Sequence, residues 1–204
     1  MKIQRYVVRQ YQSNSYLVAD DAGMGMIVDA GGDGEGIVAA AQKAGVEVKL
    51  LVLTHGHFDH VGAVREVKEA TGCTVAIHKD DAGKLGRFSL NTIISRSVAP
   101  APERLLSDGD EIEVGELRFR VLHTPGHTPG GICIYGHGAA FTGDTLFRRS
   151  IGRTDMPRGS HSELLRSIQS SLLVLPDETV VLPGHGASST IGEERRENHF
   201  LVNL

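Results

Sequence analysis

Residues 50–53 read Leu-Leu-Val-Leu and run directly into Thr54-His55-Gly56-His57-Phe58-Asp59-His60. A continuous apolar run of that kind is how a strand buried on both faces reads, so the sheet that holds it must be covered on both sides. Three histidines and an aspartate stand at its C-terminal end. The chain therefore delivers a dense cluster of ligand-type side chains to the edge of a buried sheet. Either that cluster is a solvated polar loop, or it is half of a metal site whose remaining donors lie further along.

Short β-type runs alternate with helical runs on either side of this segment. IQRYVV, SYLVAD and MIVDAG read as three successive strands, with turn chemistry between the second and third at Asp20 to Gly25. In DGEGIVAAAQKAG, Ile37, Ala40, Ala41 and Ala44 fall at helical spacing and Gly45 supplies the C-cap. DHVGAVREVKEATG is a second helix with Val61, Val64 and Val67 on one face, and TVAIH is the strand that follows. From Lys84 to Arg104 the pattern weakens to a loop with one helical turn. Strands resume at EIEV, LRFRVLHT, GICIYG and AAFTGD, followed by a helix at HSELLRSIQSSLLVL, the strand TVVLP and a short helix at GEERREN. Strands with interleaved helices predict two sheets packed face to face with helices outside. At 204 residues the chain fits a single domain over 1–204.

Composition removes several function classes. Net charge is −4 and no long basic run is present, so a phosphate backbone finds no concentrated Lys/Arg surface and nucleic acid is excluded as a partner. No stretch reaches the roughly 20 apolar residues of a membrane span, so no membrane partner is expected. The opening MKIQRYVVRQYQSNSYLV is interrupted by Arg and Gln and lacks the apolar centre of a signal peptide, which gives a cytoplasmic expectation. Cys73 and Cys133 stand in strand-like surroundings without CxxC spacing and read as buried thiols.

Further metal donors stand in the second half at predicted strand ends. His127 lies in LHTPGHTPGG, Asp144 in FTGDTLF and His185 in VVLPGHGA, each beside a glycine that lets backbone approach closely. With His55, His57, Asp59 and His60 these make a set that fits two metal ions. Imidazole and carboxylate donors without cysteine suit Zn²⁺, with Fe and Mn as the other candidates. His55 and His57 turn to the same side of an extended loop, and Asp59 and His60 follow where the chain enters a helix. His78, His123, His137, His161 and His199 read as structural or surface residues, His123 being near enough to His127 to support it. Asp29 in IVDAG is either a capping carboxylate or a partner that orients a ligand histidine.

In order and in type, HGHFDH, GHT, GD and PGHG resemble the metallo-β-lactamase-fold hydrolases over essentially the whole chain. The resemblance implies a four-layer α/β/β/α sandwich with the metals at the edge of the two sheets. It assigns His55, His57 and His127 to one metal, Asp59, His60 and His185 to the other, and Asp144 as the bridge. The implied reaction is hydrolysis by a hydroxide held between two metals, with Asp59 orienting it and no serine or cysteine nucleophile.

FTGDTLFRRSIGRTDMPRGSHSELLRSI, together with PGHG and TIGEE, is most similar to the small bacterial glyoxalase II-type branch, whose typical substrate is the thioester S-lactoylglutathione. A small thioester substrate follows from that similarity, with β-lactams as poor substrates; a monomer or small homo-oligomer is the expectation for the assembly. The chain ends at Leu204 without the C-terminal helical domain that supplies glutathione contacts in the long glyoxalase II enzymes. Those contacts must then come from the core, from Arg153 of GRTD or from Arg148 and Arg149; pairing of Arg153 with Asp155 in a turn is the structural alternative. Two other readings stand beside this one. A persulfide dioxygenase also has a GRTD segment and uses one iron on residues corresponding to His55, His127 and Asp144, but the intact PGHG favours two metals. A non-catalytic binding module on the same fold is disfavoured by retention of every ligand.

Overall fold

The structure is a computed structural model that describes residues 1–86 and 99–202. Six strands form the first sheet in chain order: β1 (Lys2–Val8), β2 (Ser13–Ala19), β3 (Met24–Val28), β4 (Glu47–Leu53), β5 (Thr74–His78) and β6 (Arg104–Leu106). The first three make an antiparallel meander, and β3 to β6 run parallel. Parallel neighbours need crossover connections. Helix α1 (Gly34–Lys43) provides the first, and the single turn α2 (Phe58–Val61) with α3 (Val64–Thr71) provides the second.

The second sheet has the order β14-β13-β10-β9-β8-β7, where β7 is Glu111–Val114, β8 Leu117–His123, β9 Ile132–Gly136, β10 Ala139–Gly143, β13 Val180–Pro183 and β14 Ser189–Thr190. A separate hairpin of β11 (Leu146–Phe147) and β12 (Ser150–Ile151) leaves the end of β10. Helix α4 (His161–Ser167) continues into a π-helical turn at Ile168–Leu172, and α5 (Ile191–Glu197) lies near the C-terminus. Among the described residues no helix is long and apolar enough to cross a membrane.

Side chains on a strand alternate between faces, and this period sorts the core into three apolar layers. Leu17, Ile27, Leu51, Leu53, Val75 and Ile77 face α1 and α3. Their strand neighbours Tyr16, Val18, Met26, Val28, Leu50, Val52 and Ala76 face Phe119, Val121, Ile132, Ile134 and Phe141 of the second sheet. Leu122, Cys133 and Val181 then face Leu164, Ile168 and Ile191 on the far side. The layers are α/β/β/α, as the sequence pattern and the resemblance implied.

The structure differs from the sequence reading at particular places. The helix expected over 59–72 is broken at Gly62 and Ala63, because the segment after β3 docks there: Ala63 N–H donates to Ala30 O at 2.8 Å and Ala30 N–H to His60 O at 2.9 Å. A side chain at position 62 would meet Gly31 O at 2.4 Å, so only glycine fits. Strand β2 begins at Ser13 rather than Ser15, and its polar start is buried. Asn14 Nδ2 donates to Pro183 O at 2.8 Å and Gly186 O at 3.0 Å, and the Tyr16 hydroxyl donates to Pro183 O at 2.7 Å. These bonds tie the first sheet to the loop after β13. Of the weakly patterned segment 84–104, residues 87–98 lie outside the described residues, and its end is strand β6 rather than loop.

Candidate metal centre

Four loops at the sheet edge bring the predicted donors together. The β4–α2 connection carries His55 and His57, and α2 carries Asp59 and His60; the β8–β9 loop carries His127; the segments just after β10 and β13 carry Asp144 and His185. Donor atoms of His55, His57 and His127 lie within 4.8 Å of one another, as do those of Asp59, His60 and His185, and those of His55, His60 and Asp144. Asp144 reaches both sets: Oδ1 is 3.3 Å from His60 Nε2, while Oδ2 is 3.6 Å from His127 Nε2 and 3.7 Å from His185 Nε2. Asp59 Oδ2 is 3.2 Å from His185 Nε2. A side chain at Gly184 would lie 2.4 Å from Asp144 Oδ1, so the glycine of PGHG allows the closure.

The opposite edge of each ring shows which nitrogen faces the centre. His127 Nδ1–H donates to Arg153 O at 2.7 Å, His185 Nδ1–H to Gln12 O at 3.1 Å, and His60 Nδ1 meets Asp29 Oδ2 at 2.8 Å. Each of these rings thus presents Nε2 inward. The Thr54 hydroxyl donates to Asp29 Oδ2 at 2.7 Å and accepts from His55 Nδ1–H at 3.1 Å. His55 Nε2 is then a lone-pair acceptor, buried, with no hydrogen-bond partner among the described residues. His57 instead turns Nδ1 inward, 2.9 Å from His127 Nε2. Two ring nitrogens facing each other, an orphaned buried imidazole nitrogen and a buried carboxylate among them are a cation's donor set. The residues fit metal ions.

The charges divide unevenly. Burial and the neighbouring histidines push His55 well below its ordinary value, and burial with His127 takes His57 to about 4. Burial opposes charge on His60 too, but Asp144 and Asp29 raise it well above the usual imidazole range. The Asp59 hydrogen bond raises His185. Burial would raise Asp144, and His60 outweighs it, leaving the carboxyl at about 2.

Two aspartates support this centre from behind. Asp29, read as either a cap or an orienting partner, is the latter: its backbone sits at φ 60, and its carboxylate accepts from Thr54 N–H at 2.7 Å, the Thr54 hydroxyl and His60. Asp81 went unnoticed in the sequence. Fully buried, it accepts from Gly56 N–H at 2.8 Å, Gly130 N–H at 3.1 Å and Lys84 Nζ at 3.0 Å, tying the loop of His55 and His57 to that of His127. No local motif marks it, since the two loop amides it binds stand 25 and 49 residues away.

The other histidines stay outside. His123 donates through Nε2 to Pro129 O at 2.9 Å and stacks on His78 at 4.2 Å, so it braces the His127 loop rather than the ring. His137 accepts from Arg118 N–H at 3.1 Å, and His161 and His199 are exposed. Both cysteines are free and buried.

A cavity of about 450 Å³ opens over the donors, walled by Phe58, Phe147, Ile151 and Met156 with Ser150 and Arg153 at its edge. Arg153 makes a bidentate pair with Asp155, both bonds 2.7 Å, which is the turn pairing given as its alternative. Arg149 pairs with Glu197. Two other grooves, of about 530 and 490 Å³, are lined by no comparable donor cluster among the described residues.

The family described as the Metallo-beta-lactamase superfamily matches residues 8–185. A curated relative, hydroxyacylglutathione hydrolase GloC from Haemophilus influenzae, is 38% identical over 98% of each chain. Among solved structures, the BLEG-1 B3 metallo-beta-lactamase superposes with a TM-score of 0.92 at 35% identity, covering 98% of this chain and 99% of the other. TTHA1623, solved in a di-iron-bound form, gives 0.85 at 37% identity, covering 97% and 100%. ETHE1 from Myxococcus xanthus gives 0.85 at 29% identity, covering 100% and 85%.

Proposed function

The chain belongs to the metallo-beta-lactamase superfamily, and on that premise we propose that it is a binuclear metallohydrolase cleaving small thioesters such as S-lactoylglutathione. The observation that carries this reading is the pair of donor clusters joined by Asp144. His55, His57 and His127 would hold one divalent ion, Asp59, His60 and His185 the other, with Asp144 between them. Zn²⁺ is the first choice from the donor chemistry, and the relative in di-iron form keeps iron in the reading. Such ions supply Lewis acidity and a hydroxide at neutral pH.

The chain's own groups do the rest. Asp59, hydrogen-bonded to His185 at the cavity floor, is placed to orient the attacking water and hold its proton. The apolar wall of Phe58, Phe147, Ile151 and Met156 receives the alkyl parts of the substrate and sheds water from the carbonyl. Arg153 commits Nε and Nη2 to Asp155, leaving Nη1 to reach a substrate carboxylate. Water adds across the C–S bond, giving a carboxylic acid and a thiol. The GloC relative supports the thioester class.

The second reading, a mononuclear-iron dioxygenase acting on glutathione persulfide, needs only His55, His127 and Asp144. The completeness of the Asp59, His60 and His185 group favours hydrolysis. Metal analysis of the purified protein with a panel of thioester, β-lactam and persulfide substrates tests both. Thiol release from the thioester is expected. Rapid β-lactam turnover without thioester cleavage, or one iron per chain with oxygen uptake on persulfide, would overturn the reading.

A further inference from the structure

The pocket wall is built partly from an element that cannot support itself. The hairpin β11–β12 carries Phe147, Ser150 and Ile151 to the cavity, yet it pairs only at Leu146↔Ile151 and Phe147↔Ser150. An isolated ribbon is marginal even when much longer. Its turn is also strained, since Arg149 has φ 58, a left-handed conformation that favours glycine.

Helix α5 holds it from behind. Glu194, 1% exposed, accepts through Oε2 from Arg149 N–H at 2.8 Å and from Asn198 Nδ2 at 2.8 Å. Asn198, fully buried, uses the same amide nitrogen to donate to Ser150 O at 3.0 Å. Both amide hydrogens are thereby used, on two acceptors. The Arg149 side chain adds a pair with Glu197 on the same helix. The helix is itself anchored by the Thr190–Glu193 capping box, by buried Ile191 and by the Arg195–Asp177 pair. Asp144, just before the hairpin, has separate support: Gly184 N–H donates to Gly143 O at 2.8 Å, and Thr124 and Thr145 hydroxyls meet at 3.0 Å beneath its turn.

We propose that Glu194 and Asn198 are positioning residues for substrate binding: by fixing the backbone of Arg149 and Ser150 they set where Phe147 and Ile151 stand over the metal ligands, and so set affinity and acyl-group preference without touching those ligands. The proposal rests on the reading that substrate occupies this cavity.

The chain has no tryptophan, so Arg148→Trp at the exposed hairpin tip gives a single reporter for the anisotropy arm alone, while kinetics and metal content compare the wild-type chain with Asn198→Ala. The Asn198→Ala change should raise KM for the thioester roughly three- to tenfold, with kcat within about twofold. Metal content should equal the parent's, and the anisotropy of the tryptophan should fall. Should Asn198→Ala not fold, Asn198→Ser carries the same comparison. Unchanged anisotropy with unchanged KM would overturn the proposal. Metal content and kcat falling together at constant KM would overturn it as well, assigning the helix to the metal centre. A wild-type chain inactive on thioesters would defeat the functional reading alone, because the anisotropy and metal arms still decide whether the helix positions the hairpin.

Discussion

Replacing Asp81 with Asn isolates what one buried carboxylate does for the loops that carry metal ligands. Every group bonded to it is a donor: Gly56 N–H, Gly130 N–H and Lys84 Nζ. Asparagine keeps the volume but turns one oxygen into an NH₂ group that must face a donor, so at least one buried N–H loses its acceptor. An unsatisfied buried amide costs about 1–3 kcal/mol, and each charge-assisted bond is worth about 1.5–3 kcal/mol. A loss of about 2.5–6 kcal/mol follows, which at about 2–4 °C per kcal/mol for a chain this long lowers the melting temperature by about 5–24 °C. Since Gly56 separates His55 from His57, metal affinity at that pair should weaken too, read by competition with a chelator.

Acid should erase the difference. Burial would raise the Asp81 carboxyl, but the Lys84 charge and the Gly56 amide outweigh it and hold it below 3.8. A depressed carboxyl contributes stability above its unfolded value and loses it as pH falls through the folded one, so wild type and Asp81→Asn should converge below about pH 4. A melting temperature within about 2 °C of wild type at neutral pH, with undiminished metal affinity, would refute the reasoning.

Three shorter predictions accompany it. Asp144→Ala removes the group that reaches both donor sets and should lower metal content and activity by orders of magnitude; full metal content in the variant contradicts the ligand assignment. His185→Ala should abolish thioester cleavage, and oxygen uptake on persulfide that survives the change would point to the mononuclear reading instead. Burial pushes the Cys133 thiol up to about 11, so iodoacetamide at pH 8 should modify it only after denaturation, and labelling of the native protein, followed by mass spectrometry, would contradict its burial.

The donor residues were legible because their chemistry is restricted and their motifs are local: a histidine or aspartate beside glycine at the end of an apolar run is visible without a fold. The layers were legible from the unbroken apolar run at Leu50 to Leu53, which reads as a strand covered on both faces. What stayed hidden depends on contacts between distant segments. Nothing near Gly62 signals a helix break, because the cause is the backbone of Ala30 and Gly31. Asp81 looks like any polar residue after a strand until Gly56 and Gly130 converge on it. Asp29 kept two readings until His60 and Thr54 were placed against its carboxylate, and the pairing of Arg153 with Asp155 turns on side-chain geometry. Strand β6 is three residues long and is defined by pairing with β5, not by its own pattern.

The donor sets straddle the seam between the sheets. His55 and His57 come from the first half of the chain and His127 from the second; Asp59 and His60 from the first and His185 from the second. Each ion would therefore act as a clasp across the sandwich, closing one rim while the apolar middle layer holds the body. Neither half alone can complete a trio, so ion affinity doubles as a gauge of how well the halves are docked. Because an ion bound only by the closed form stabilises it in proportion to the logarithm of ion concentration, chelation should loosen that rim first, and amide hydrogen exchange should quicken around Gln12 and His185 before it does in β4 or β10.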